Sequence, residues 1–322
     1  MKKSKALLTA LGIAAVPAAA VVAGSFYFYK LAVARAPKTF LDADPGLQPN
    51  PDVQTETTAS RNWWALQSFE ERTLLSGDGL KLHAYYLPAQ QPTTRTAILA
   101  HGYSGDASIM SGVAKFYYED MGMNVLVPDA RGHGRSEGDY IGYGWPERVD
   151  YLGWIRQIIA QDGPGAEIVL HGISMGGATV MMTSGEDLPP HVKAIVEDCG
   201  YTSVRDELAY QMKRMYKIPA FPMLPATEAL TRFKAGYSFT EASALEQVRR
   251  CRTPMLFIHG SNDEFVPTSM VHELYAACPS DKELLIVEGA GHGDSFLVNK
   301  PLYTGKVTEF LRGRLSEPAA AD

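Results

Sequence analysis

The chain has 322 residues, 46% hydrophobic and 20% charged, which is ample material for one large core and unlike a disordered or fibrous composition. A formal net charge of −6 without any dense Lys/Arg patch argues against nucleic acid as a partner, because phosphate neutralisation supplies most of that affinity. Cys199, Cys251 and Cys278 are an odd set with no CxxC spacing, so neither a disulfide framework nor a metal site is expected.

After Lys2, Lys3 and Lys5 the chain runs uncharged from Ala6 to Tyr29. That length suits a bilayer-spanning helix of roughly 20 residues better than the apolar core of a signal peptide, about 7 to 15. The closing "FYFYK" (26–30) suits a membrane interface. Residues 1–35 are therefore expected to be an uncleaved single-pass anchor in the cell membrane, with the folded domain outside. Secretion after cleavage at "PAAA" (17–20) or "VAG" (22–24) is the alternative. Residues 36–60 hold four prolines and many small polar residues, the composition of a loose linker. The folded domain is expected over 61–316 with a short tail at 317–322, so a chain shortened to Arg61 should be soluble and active.

From there the pattern alternates. "FEERTLLSGDGLKLHAYYLP" (69–88) reads as two strands joined by a Gly-Asp-Gly turn. Apolar, β-rich runs follow at "TAILAHG" (96–102), "NVLVPDA" (124–130), "EIVLHG" (167–172), "AIVEDCG" (194–200), "MLFIHG" (255–260) and "ELLIVEG" (283–289). Most are separated by stretches that can carry a helix, which predicts an α/β fold with a mostly parallel, twisted sheet covered on both faces. The interval 201–254 is too long for a simple crossover.

"HGISMGG" (171–177) stands between a strand-like run and the helix-like "ATVMM" (178–182). A sharp strand-to-helix turn that lifts a Ser hydroxyl clear of the sheet needs very small neighbours, and Gly172 and Gly176 supply them around Ser174. Serine is a poor nucleophile unless a base takes its proton, and the base needs an orienting carboxylate. Asp263 stands three residues beyond the Gly that ends one later strand, and His292 three beyond the Gly that ends the next. The order Ser, Asp, His, each placed after a strand, is the one this turn requires.

The set "HGYSGD", "DARGHGRSEGD", "HGISMGG", "GSNDEFVP" and "GAGHGD" resembles the α/β-hydrolases, in particular the bacterial serine hydrolases of the esterase and lipase-like branch that carry an N-terminal anchor. The resemblance covers residues 69–314 and implies the α/β-hydrolase fold. It implies an oxyanion hole made by the backbone amides of Met175 and of Tyr103, with Ser104 as a substitute for the latter. It favours Asp263 over Asp198 as the acid, because "GSNDEFVP" fits the acid loop better. His101 and His171 read as turn or core histidines, His133 as the holder of a glycine-rich loop, and Asp129 and Asp294 as loop partners. No metal or organic cofactor is implied.

The interval at about 201–250 is where a small helical lid would be inserted. Its "YQMKRMYKIPAFPMLPA" (210–226) offers Met212, Met215, Phe221 and Met223 as substrate contacts, with core packing as the competing role, and leaves Lys213, Arg214 and Lys217 to solvent. These features together predict a serine hydrolase of small-molecule carboxylic esters. Thioester or peptide cleavage and a non-catalytic, surface-tethered binding protein are the alternatives.

Overall fold

The structure, a computed structural model, describes residues 19–47 and 53–316. The strands are β1 (Glu70–Leu75), β2 (Lys81–Leu87), β3 (Arg95–Ala100), β4 (Asn124–Pro128), β5 (Glu167–Ile173), β6 (Val192–Asp198), β7 (Met255–Gly260) and β8 (Lys282–Val287). Among the described residues they form one eight-stranded sheet in the order β1-β2-β4-β3-β5-β6-β7-β8. β2 is antiparallel to both its neighbours, and every pairing beyond it is parallel. Each apolar run in the sequence is a strand, and the hairpin closes through Ser76, whose amide donates to the Leu80 carbonyl at 2.9 Å.

Both faces of the sheet are covered, for a reason visible in β3. Its side chains alternate, Ile98 and Ala100 entering one apolar cluster while Ala97 and Leu99 enter another. The first cluster packs Tyr151 and Trp154 of α2 (Glu147–Asp162) and the apolar side chains of α3 (Met175–Ser184); the second packs Tyr303 and Phe310 of α6 (Lys300–Leu311). A strand buried on both sides has no polar face to show, which is why these runs read as continuous apolar stretches.

The strand order also fixes where a site can form. The chain steps from β3 to β4 on one side and then crosses to β5 on the other. The loops leaving β3 and β5 thus diverge at their carboxyl ends, which opens a crevice between them. Beyond β6, the long interval holds α4 (Val204–Tyr216) and α5 (Met223–Ala235). The Ser203 hydroxyl caps α4 by accepting from the Asp206 amide, and α4 ends at Lys217 in the left-handed region (φ 56°).

Two expectations about the N-terminal part need correction. The stretch read as a loose linker contains α1 (Gln54–Ala65), which buries Trp63 against Tyr118. All four prolines of that stretch precede residue 52, so the composition of the whole window hid a proline-free helix inside it. The second concerns residues 28–35, assigned to an anchor. Val33 is wholly buried, and Ala34 makes a β-bridge with Tyr140. Phe28 packs edge-on against Tyr216 with ring centroids 5.4 Å apart. Of the proposed anchor, residues 6–18 lie outside the described residues, while 19–28 are helical. Among the described residues no helix is long and apolar enough to cross a membrane. The aromatic cluster is divided, Phe26 and Tyr27 being exposed while Phe28 and Tyr29 join the core.

Candidate active site

Ser174 occupies the turn from β5 into α3 with φ 59° and ψ −118°, a conformation other residues avoid. A Cβ on Gly172 would lie 2.0 Å from the Gly176 carbonyl oxygen, and one on Gly176 would lie 1.9 Å from the Ala100 carbonyl oxygen. Those obstacles are backbone and cannot step aside. We expect Gly176→Ala to destabilise the protein by about 3 kcal/mol or more, seen as a large fall in melting temperature. An unshifted melting curve would contradict this close packing.

The loops after β7 and β8 bring the other two residues to the serine. His292 places Nε2 2.8 Å from Ser174 Oγ and Nδ1 2.8 Å from Asp263 Oδ2. The second carboxylate oxygen, Oδ1, accepts from the amides of Phe265 and Val266 at 2.9 Å each, so the carboxylate is held from behind. Burial opposes both charges, yet the facing pair outweighs it: His292 and His259 hold the Asp263 carboxyl well below its usual range, and Asp263 raises the His292 imidazole above its ordinary value. Asp198, the rival acid, is wholly buried, pushed up to about 6 by that burial, and gives this site its backbone carbonyl, which accepts from the Ser174 amide at 2.8 Å.

Two amides border the serine in the crevice. A Cβ on Gly102 would stand 3.6 Å from Ser174 Cβ, which puts the loop after β3 directly against it. Neither the Tyr103 amide in that loop nor the Met175 amide at the start of α3 makes a backbone hydrogen bond among the described residues. His133 Nε2 donates to the Tyr103 carbonyl at 2.7 Å and so steadies the loop, as its glycine-rich setting predicted. His101 accepts from the Ala130 amide, and His171 lies between the hydroxyls of Tyr117 and Tyr303. Both are structural.

Ser174 lies between two cavities. One, of about 90 Å³, is almost wholly apolar and reaches under α4, where Met212 and Met215 line it. The other, of about 230 Å³, is more open and carries His292 and Ser104 on its wall. Phe221 and Met223 line neither. Phe221 is 76% exposed, and Met223 packs beside Gly24 of the N-terminal helix. Met212 and Met215 share one face of α4 at helical spacing, whereas the left-handed turn at Lys217 carries the following residues away. Arg214 is not free in solvent either, since it forms a two-pronged ion pair with Asp44 at 2.9 and 2.5 Å.

Sequence reasoning missed several neighbours. His259, at the end of β7, sits 3.2 Å from Asp263 Oδ2 and donates from Nε2 to the Val266 carbonyl. A histidine inside an otherwise apolar strand was the available signal. Glu207 of α4 lines the apolar cavity, and burial pushes its carboxyl up to about 7. Phe28, Leu31 and Leu41 line the same cavity from the N-terminal side, and nothing in their composition marked them. Cys199, Asp263 and His292 bring potential metal-ligand atoms within 4.8 Å of one another. Asp263 and His292 already spend those atoms on each other and on Ser174, and burial raises the Cys199 thiol well above its usual value, which does not fit a ligand set.

The sheet, the serine turn and the crevice define the class. Residues 97–302, more than half of the chain, match the alpha/beta hydrolase family. The chain belongs to that family and is a hydrolase in class. It is similar to the uncharacterised protein YqkD of Bacillus subtilis, 30% identical over 76% of this chain and 81% of that one. It is also similar to an uncharacterised membrane protein of Saccharomyces cerevisiae, 25% identical over 71% of this chain and 75% of the relative. Among solved structures, the Pyrococcus furiosus esterase Pf2001 aligns with a TM-score of 0.62 at 24% identity, covering 76% of this chain and 91% of that one. The Pyrococcus horikoshii acylaminoacyl peptidase aligns at 0.57 and 19% identity, covering 81% of this chain and 44% of that one.

Proposed function

We propose that this chain is a serine hydrolase of small to medium carboxylic esters, attached to a membrane through the apolar run that precedes Phe28, with its folded domain outside. The observation that carries the reading is the hydrogen-bonded row Ser174–His292–Asp263, beside which the Tyr103 and Met175 amides make no backbone hydrogen bond among the described residues. Ser174 Oγ attacks the ester carbonyl as His292 Nε2 takes its proton, and Asp263 holds the imidazole tautomer and stabilises its charged form. The Tyr103 and Met175 amides stabilise the oxyanion. His292 then passes the proton to the departing alcohol, and water attacks the acyl-enzyme by the same route. Because His292 borders the open cavity, the alcohol leaves through it, and the acyl group occupies the apolar one. The membrane assignment draws support from the apolar run in the sequence and from the yeast relative's description as a membrane protein.

A fluorophosphonate probe tests the chemistry, because it labels Ser174 only if the serine is activated. Stoichiometric labelling, together with turnover of p-nitrophenyl esters, is the expected result; no labelling would leave a binding protein with a hydrolase fold. Acyl thioesters of matched chain length, assayed in parallel, separate ester from thioester preference.

The pH profile is a second check. His292 must be neutral to accept a proton, and its pKa is raised above the ordinary imidazole value of about 6.5. Asp263 stays ionised throughout, being held well below its usual range. Hence kcat/KM should be low in acid, rise with pH through the raised His292 pKa, and level off above it. A flat profile between about pH 5 and pH 9 would be incompatible with His292 as the base.

A further inference from the structure

The segment following the N-terminal helix is wrapped across the candidate site and tied to it at several points. Residues Tyr29–Val33 form a π-turn, closed by the Ala34 amide donating to the Tyr29 carbonyl at 2.9 Å. Pro37 lacks an N–H and cannot extend the helix; the Val33 carbonyl accepts from the Ile141 amide at 2.8 Å, which leaves those of Leu31, Ala32 and Ala34 for other donors. They are satisfied from the side. The Ala32 carbonyl accepts from the hydroxyl of Tyr103 at 2.5 Å and from that of Tyr143 at 2.9 Å. Lys38 Nζ donates to the carbonyls of Leu31, Ala32 and Ala34, a cation at the negative end of a helix. Further along, Arg35 donates to the carbonyls of Ser136 and Gly134, and Asp44 is paired with Arg214 of α4.

These contacts converge on the chemistry rather than on a remote surface. Tyr103 follows Gly102 in the loop that lies directly against Ser174, and its ring stacks on Tyr143 with centroids 5.1 Å apart. The hydroxyl bond to Ala32 therefore fixes the far end of the residue that supplies an oxyanion donor. Phe28, Leu31 and Leu41 line the apolar cavity together with Met212 and Met215.

We propose that residues 28–44 are a working part of the active site: the Ala32 carbonyl positions the Tyr103 oxyanion loop, and Phe28 and Leu31 set the length of acyl chain that the apolar cavity accepts. This rests on the esterase reading above and adds the substrate class. A cavity of about 90 Å³ takes a short acyl chain, given that one of about 150 Å³ holds a ring the size of benzene. The preferred substrates are thus esters of short acyl chains, near butyrate, with the bulkier alcohol in the open cavity. Tyr103 acts here as a positioning residue through its hydroxyl.

The test uses the full chain and three variants, Tyr103→Phe, Phe28→Ala and Phe28→Trp, each assayed on p-nitrophenyl acetate, butyrate and octanoate beside its melting temperature. Tyr103→Phe keeps the ring but frees the loop, and should lower kcat about tenfold for every ester with little change in KM, a fraction of the loss caused by deleting an oxyanion donor. Phe28→Ala should raise the octanoate-to-butyrate ratio of kcat/KM, by up to about fourfold for each methylene newly accommodated. Phe28→Trp should shift the ratio the other way, towards acetate. Unchanged kcat in a folded Tyr103→Phe protein would overturn the positioning role, and identical ratios in both Phe28 variants would overturn the wall. Fluorophosphonate labelling of the parent separates the two levels: a labelled parent with unmoved variants sinks this inference alone, whereas an unlabelled parent sinks the esterase reading as well.

Discussion

Replacing Ser174 with Ala is expected to lower ester turnover by about 10⁴-fold or more, and His292→Ala by a similar factor, because nucleophile and base act as a unit and what survives comes from the oxyanion donors and binding. The substitution removes only the Oγ that meets His292 Nε2 at 2.8 Å, so the melting temperature should stay near that of the parent. Two milder probes distinguish the acid. Asp263 directs Oδ2 at His292 and is fixed through Oδ1, so Asp263→Asn should be nearly as damaging as loss of the base, by imposing the wrong imidazole tautomer. Asp198 meets Ser174 through its backbone carbonyl, which an Asn retains, and Asp198→Asn should leave turnover close to the parent value. Steady-state kinetics on one ester, with fluorophosphonate titration to count active sites, checks all four. Near-normal activity in Ser174→Ala would end the serine mechanism, and a reversal of the two Asn results would transfer the acid to Asp198.

The parts of this protein that were legible in sequence are those where one local constraint dictates residue type. Strands buried on both faces admit only apolar side chains, so the runs containing Ile98, Val169 and Phe257 stood out, and their spacing disclosed a parallel sheet. Gly172 and Gly176 were readable because backbone passes within reach of any Cβ there. Asp263 and His292 were readable as candidates because each follows the glycine that closes a strand. What remained hidden depends on partners far along the chain. Phe221 and Met212 have much the same local surroundings in sequence, yet one is exposed and the other lines the cavity, and only the turn at Lys217 decides between them. Arg214 looked like a solvated charge until Asp44 came to meet it from 170 residues away. The segment 28–44 straddles the end of the apolar run and the start of the linker-like stretch, and part of its role arises from carbonyl groups, which carry no residue signature at all.

That hidden segment reverses an expectation about where the functional unit begins. From composition, a chain starting at Arg61 should be soluble and active. The fold instead makes Arg61 a residue in the middle of α1, and removal of everything before it takes away half of that helix together with Val33, Leu41 and the Ala32 carbonyl. Tyr103, Tyr143 and Lys38 share that carbonyl, and the first two would be left with hydroxyls that no longer have it as acceptor. The wall formed by Phe28, Leu31 and Leu41 would go too, opening the apolar cavity to water beside Ser174 and weakening every electrostatic contribution made there. We therefore expect the Arg61-start protein to lose on the order of 100-fold or more in kcat/KM, comparable to loss of an oxyanion donor, and to melt well below the parent. A protein starting at Ala19 retains all of these contacts and should keep the parent's turnover and its preference among acyl chains. Assaying the two shortened forms on butyrate and octanoate esters, after confirming by circular dichroism which of them is folded, separates the possibilities. If the Arg61 form is folded and shows the parent's activity and chain-length ratio, residues 28–44 are only a tether; if the Ala19 form is active and the Arg61 form is not, the active site begins at the end of the N-terminal helix.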